Sequence, residues 1–303
     1  MNRDLAGNLD TPASVPASTT ESTSQICEFE TWDGLKLFHR TWPSLKSTRK
    51  AVVLFHGGHE HSGRFHELVE RLGREDTTYF AWDARGHGRS PGPRGYARSL
   101  HDVTHDVDIF LQHLSKAHGL SLPDTVFLAH SVGSLTVIAY VRDYKPQIRG
   151  MILGSPALHV RTYVPFDHFL LRLLIRFQPE GKINSYVVSS MLTHDPEEIA
   201  SRNHDTLIAR PIGAKMLLSV LKEGQRLIQE APGLRVPTLI LSAGRDWVVR
   251  LSAERRFFNR LGASKKEMVV YPGFFHEVFH EKDRQQPITK AREFIQSLFP
   301  TPE

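Results

Sequence analysis

The stretch that decides the fold is Thr125 to Ser134, "TVFLAHSVGS". Its first half is a short apolar run rich in β-formers, and its second half opens a segment with helical character, so the chain turns sharply at the serine. A turn that tight holds the serine in strained backbone and leaves room only for small residues two before and two after it. Ala129 and Gly133 meet that requirement, Ala129 in place of the glycine more often found there. A small-x-Ser-x-Gly pattern alone arises by chance in roughly one such chain in five. Its position between a strand and a helix is what gives it weight, and it makes Ser131 a candidate nucleophile.

Working outward, further apolar runs stopped by small or polar residues occur at Ala51–Gly58, Thr78–Asp83, Gly150–Pro156, Pro237–Asp246 and Glu267–Gly273. They read as buried parallel strands. Helix-like stretches separate most of them. In His101–His118, for example, Val103, Val107, Phe110, Leu111 and Leu114 share one face. Strand and helix in alternation predict an α/β fold with a mostly parallel, doubly wound sheet. It begins with an N-terminal antiparallel hairpin, since Asp33-Gly34 joins two β-prone runs. The alternation fails over residues 158–234, where "FDHFLLRLLIRF" and "GAKMLLSVLKEGQRLI" read as helices with no strand between them. That segment is expected to be an inserted helical cap, with residues 26–157 and 235–300 forming the core. Residues 1–25, rich in Ser, Thr, Ala and Pro and without the apolar stretch of a signal peptide, are expected to be a disordered leader.

Composition narrows the classes. With 40% hydrophobic and 23% charged residues, 303 residues can bury a substantial core. The formal charge of +5 is spread along the chain without a basic block interleaved with aromatics, so a nucleic-acid partner is not expected. Arg161, Arg172 and Arg176 sit beside strongly apolar residues in the cap segment, a pattern that suits a lipid surface. The expectation is a cytoplasmic protein able to meet a membrane peripherally, since no run of about 18 apolar residues is available for a spanning helix. One cysteine, Cys27, excludes an internal disulfide and reads as a strand residue.

A serine needs a base and an orienting acid to act at neutral pH. Two candidates stand at strand ends in the order this arrangement requires: Asp246 closing "LSAGRD" and His276 following "VVYPGF". An anion trap is offered by His56-Gly57-Gly58 after another strand, where the backbone N–H of Gly58 can join that of Val132. Asp83 also ends a strand and is a rival for the acid, with a structural anchor in its glycine-rich loop as the alternative role. Glu60, His61 and Arg64 flank the Gly-Gly turn and are expected to support it. "FFHEVFHE" (Phe274–Glu281) contains His-Glu-x-x-His, which on a helix would hold zinc through His276 and His280. The Tyr271-Pro272-Gly273 turn just before it and the lack of an evident third ligand speak against that reading. The histidines at 56, 59, 61 and 66 do not have a usual di-metal spacing either.

Together "HGGHEHSGRF", "DARGHGRSPGPRG", "AHSVGS", "AGRDWVV" and "GFFHEVFHE", in that order from about Gly34 to Phe299, resemble the α/β hydrolases of the monoacylglycerol lipase and bacterial lysophospholipase group. The resemblance implies Ser131 as nucleophile, Asp246 as acid, His276 as base, and the N–H groups of Gly58 and Val132 as oxyanion hole. It also implies a mobile cap over an acyl-binding groove, ester substrates with one long acyl chain, and no cofactor. An acyltransferase using the same covalent intermediate is the alternative, ahead of a zinc hydrolase. Oligomeric state is not legible.

Overall fold

The computed structural model describes residues 24–299. Of the leader expected over 1–25, all but the last two residues lie outside that range.

The chain opens with β1 (Gln25–Glu30) and β2 (Lys36–Trp42), an antiparallel hairpin turned at Gly34, whose φ of +80° is readily tolerated by glycine. There follow β3 (Ala51–Phe55), α1 (His66–Leu72), β4 (Thr78–Trp82), α2 (Leu100–His118), β5 (Thr125–His130), α3 (Ser131–Tyr144) and β6 (Gly150–Gly154). After β6 come α4 (Asp167–Phe177), β7 (Lys182–Asn184), α5 (Pro196–His204), β8 (Pro211–Gly213) and α6 (Ala214–Glu230). The main sheet then resumes with β9 (Thr238–Ala243), α7 (Leu251–Arg260), β10 (Lys266–Tyr271) and α8 (Gln285–Leu298).

Eight strands form one sheet in the order β1-β2-β4-β3-β5-β6-β9-β10, parallel from β4 to β10. Because side chains alternate across a strand, successive residues of β3 feed opposite cores. Val52 and Leu54 pack with α1 and α8, while Val53 and Phe55 pack with α2, α3 and α7. The apolar face predicted for α2 is buried at every position named above. The connections reverse direction between β3 and β5, and beyond the carboxyl ends of these central strands an open α/β sheet forms its crevice.

Between β6 and β9 the chain leaves the sheet and returns as α4, α5, α6 and their connections. Within this stretch β7 and β8 pair antiparallel, a two-stranded ribbon where the sequence reading expected no strand. Three residues per strand are too few to show a period-2 pattern, which is why they were not visible. The helix α4 has one covered and one open face. Leu171 is buried, and Leu174 and Ile175 pack with it toward α6, whereas Phe166, Phe169, Leu170, Leu173 and Phe177 point outward. No helix among the described residues is long and apolar enough to cross a membrane.

Candidate active site

The turn from β5 into α3 places Ser131 at the helix start with φ +51°, a left-handed conformation that few side chains adopt. What forces the glycine two residues later is visible nearby. A Cβ on Gly133 would lie 2.4 Å from the carbonyl oxygens of Phe55 and His56, so only glycine lets α3 start this close to β3. The buried Ser131 Oγ lies 2.8 Å from His276 Nε2, and His276 Nδ1 lies 2.7 Å from Asp246 Oδ2. The other oxygen of that carboxylate accepts the backbone N–H groups of Val248 and Val249 at 2.7 and 2.8 Å. Asp246 is thereby fixed at both oxygens, which in turn fixes the imidazole plane.

Asp246 and His276 come from loops after adjacent strands, β9 and β10, and those loops are stitched together. Gly244 N donates to Tyr271 O, and Arg245 N donates to Phe274 O. A Cβ on Gly244 would collide with the Pro272 backbone, at 2.6 Å from its Cα, so the loops touch over bare main chain.

Gly58 and Val132 meet across the mouth of the site: a Cβ built on Gly58 would sit 3.5 Å from Val132 Cγ2. Both line a cavity of about 850 Å³, counting its open mouth, that also exposes Ser131 and His276. The Gly-Gly turn is held from below by His56, whose Nδ1–H donates to Gly57 O while its Nε2 accepts from Ala84 N. Burial pushes the pKa of this histidine down, which keeps it neutral in that two-sided role. Asp83 anchors the neighbouring loop. Its two oxygens accept from Ser62 N at 2.6 Å and Arg89 N at 2.8 Å.

Glu60, His61 and Arg64 reach outward to one cap helix. Glu60 Oε1 accepts from Arg202 Nη1 at 2.5 Å, Arg64 Nη2 bonds Glu198 at 2.7 Å, and His61 Nε2 meets Asp205 at 2.8 Å, all three partners lying on or just after α5. Behind Ser131 and His276 the charges continue. His130, immediately before the serine, lies 3.8 Å from Glu60 and 3.7 Å from Glu277, and its Nε2–H donates to His276 O at 3.1 Å. Burial would lower the His130 pKa, but Glu277 and Glu60 outweigh it and raise the imidazole to about 9. Burial likewise pushes both carboxyls up. Arg202, His130 and Arg64 hold Glu60 well below its usual range, while Glu277 sits at about 2 through His130, His280 and Arg202 despite the added push from Glu60. Sequence reasoning missed Arg202 and His130; only the position of His130 immediately before Ser131 offered a signal.

The metal-like spacing of "FFHEVFHE" is not carried by a helix, since residues 272–284 run as turns and α8 begins only at Gln285. Glu277 and His280 precede that helix and are buried, and Glu277 lines the cavity that holds Ser131. Ligand atoms of Glu60, Glu277 and His280 do come within 4.8 Å of one another. The positive charges of Arg202, Arg64 and His130 already lie against this group.

With this geometry in view, comparison with known proteins is decisive at the level of family. Residues 46–283 match the family described as serine aminopeptidase, S33. The chain belongs to that family. It is an α/β hydrolase of the monoacylglycerol lipase and lysophospholipase group, which places it among the carboxylic ester hydrolases. An uncharacterised protein of Escherichia coli, YnbC, is 42% identical over 89% of the chain, but the match spans only 46% of that longer relative. A monoacylglycerol lipase of Mycolicibacterium smegmatis is 28% identical over 91% of the chain and 98% of the relative. Among solved structures, the monoacylglycerol lipase of Paleococcus ferrophilus superposes with a TM-score of 0.78 at 28% identity, covering 87% of this chain and 99% of that one.

Proposed function

We propose that the chain is a serine hydrolase that cleaves carboxylic esters of a single long acyl chain, of monoacylglycerol or lysophospholipid type. The observation that carries this reading is the Ser131–His276–Asp246 relay opening into an apolar cavity roofed by the cap. His276 removes the Ser131 proton as Oγ attacks the ester carbon, and Asp246 orients the imidazole and stabilises it once charged. The N–H groups of Gly58 and Val132 receive the developing oxyanion, a contribution of about 3 kcal/mol per donor in comparable sites. His276 then protonates the leaving alcohol. In the second half it activates water, and the fatty acid is released from the acyl-enzyme.

The choice of substrate rests on the lining. Val160, Ile183, Leu192, Ile212, Leu217 and Val220 extend from the nucleophile under the cap, and a surface of that kind receives an alkyl chain. On the outside, Phe166, Phe169 and Phe177 of the α4 segment are 81, 64 and 76% exposed, with Arg172 and Arg176 exposed on the same helix. A helix so arranged is suited to lie on a lipid surface and admit substrate from it.

The test is covalent labelling by a serine-directed phosphonate, followed by a panel of monoacylglycerols and lysophospholipids of graded chain length. Wild type should label at Ser131 and hydrolyse long-chain monoesters, and the Ser131→Ala variant should do neither while remaining folded. Full esterase activity in that variant would overturn the assignment, and transfer of the acyl group to glycerol in preference to water would make the acyltransferase reading the better one.

A further inference from the structure

At the β1 edge of the main sheet, the register of the first hairpin pairs Cys27 of β1 with His39 of β2. Directly opposed residues of an antiparallel pair present their side chains on one face. Onto that face α2 brings its last turns, ending at His118, and His113 lies five residues earlier. Ligand atoms of Cys27, His39 and His118 lie within 4.8 Å of one another. His39 Nε2 is 3.3 Å from His113 Nε2. The three imidazole rings have centroid separations of 5.2, 5.6 and 6.1 Å, and Phe29, Phe80 and Phe110 wall them on the protein side.

These distances can be compared with what a metal requires. Zinc–nitrogen bonds of about 2.0–2.1 Å across a tetrahedral angle put two ligand nitrogens about 3.3 Å apart and two ring centres about 5.2 Å apart. The closest pair, His39 and His113, has both values. Cys27 and His118, within 4.8 Å of His39, must close by up to about 1.5 Å to reach the roughly 3.3–3.6 Å that nitrogen and sulfur ligands take, and the His113 and His118 rings, 6.1 Å apart, must also draw together. Both can move, since His118 is exposed at the helix end and Cys27 is half-buried on an edge strand. A plain hydrogen bond between His39 and His113 would account for one contact of this set. It gives no reason for Cys27 and His118 to converge on the same ring.

We propose that Cys27, His39, His113 and His118 form a tetrahedral site for a zinc-class divalent ion that ties the edge hairpin to the carboxyl end of α2. One thiolate with imidazoles is a donor set suited to zinc over the oxygen-seeking calcium and magnesium. Binding deprotonates Cys27, with its proton passing to solvent, and takes the imidazoles neutral. The site lies four strands from the β5 nucleophile turn, so its role is structural and separate from ester cleavage.

The test uses the untagged 303-residue chain. Zinc is titrated in competition with a chromophoric chelator, and cobalt(II) is added as a spectroscopic probe. The expected result is one ion per chain, with intense tetrahedral cobalt bands and a thiolate-to-cobalt band that disappears in Cys27→Ser. His118→Gln should weaken binding by roughly tenfold or more, since even loss of an outer partner of a metal ligand commonly costs that much. Ser131→Ala and His280→Gln should leave the stoichiometry unchanged. Zinc should raise the Tm of wild type and leave that of the Cys27→Ser/His118→Gln double variant where it was. Absence of stoichiometric binding in wild type, or equal binding by the double variant, would overturn the proposal.

Discussion

Replacing Arg202 by methionine keeps the aliphatic stem and removes a guanidinium that sits 2.5 Å from Glu60 and 3.7 Å from Glu277. Deleting one partner of a buried ion pair typically costs about 3–5 kcal/mol, because the remaining charge is left uncompensated. Here Arg64 at 3.3 Å and His130 at 3.8 Å still face Glu60, so the lower end, about 3 kcal/mol, is expected. With an unfolding entropy of about 2.1 cal/mol/K per residue, that loss lowers the Tm of this chain by roughly 5 °C. Differential scanning calorimetry measures it directly. Turnover of a monoester by the same preparations should fall chiefly in kcat, since Glu60 N closes the turn onto Gly57 O within the Gly-Gly segment. The decisive comparison is Glu60→Gln added to Arg202→Met, which removes the stranded charge and should recover at least half of the lost Tm. If Arg202→Met melts within about 1 °C of wild type, or the double variant is no better than the single, the charge-compensation argument is wrong.

Three other outcomes follow from the same geometry. Asp246→Asn should keep the fold and reduce kcat on the order of 10³–10⁴-fold, because an amide cannot stabilise the imidazolium and favours the wrong tautomer, as single-turnover kinetics would register. His130 has a folded pKa of about 9 against an ordinary 6.5, so its stabilising contribution is complete below pH 6.5 and is lost as pH rises through 9. That contribution is about 3 kcal/mol, and a His130→Gln variant should lack that part of the decline in Tm between those pH values. Glu254 is buried and lifted well above its usual range by burial and by Asp246, which favours its neutral form, and it accepts a hydrogen bond from Ser242. Glu254→Gln should therefore cost under about 1 kcal/mol in chemical denaturation, whereas a charged Glu254 would make the loss much larger.

What could be read from the sequence was whatever lies at a strand end. Ser131, Asp246, His276 and the Gly-Gly turn all follow short apolar runs, and the parallel sheet brings such ends together at one rim whatever the intervening chain does. The charged layer beneath them was illegible for a physical reason. Glu60, His130, Arg202 and Glu277 come from four distant segments, and nothing in "PEEIASRNH" distinguishes an arginine buried in a carboxylate cluster from one in water. The amphipathic pattern of α4 showed that it has two faces but not which one the protein covers. Leu171, Leu174 and Ile175 were the covered set because α6 offers them a matching apolar surface, leaving the larger aromatics outside.

Cap insertions of this kind invite treatment as exchangeable modules. The linkage of α5 to Glu60 and Arg64 argues otherwise for this chain, because the roof and the floor of the cavity share one set of compensating charges. A chimera that imports a relative's residues 158–234 without matching positions 60, 64 and 277 would strand carboxylates under its own nucleophile. The inner half of the insertion, α5, and the loop that carries Glu60 and Arg64 can therefore change only together, whereas α4 and the ribbon carry no part of that charge balance.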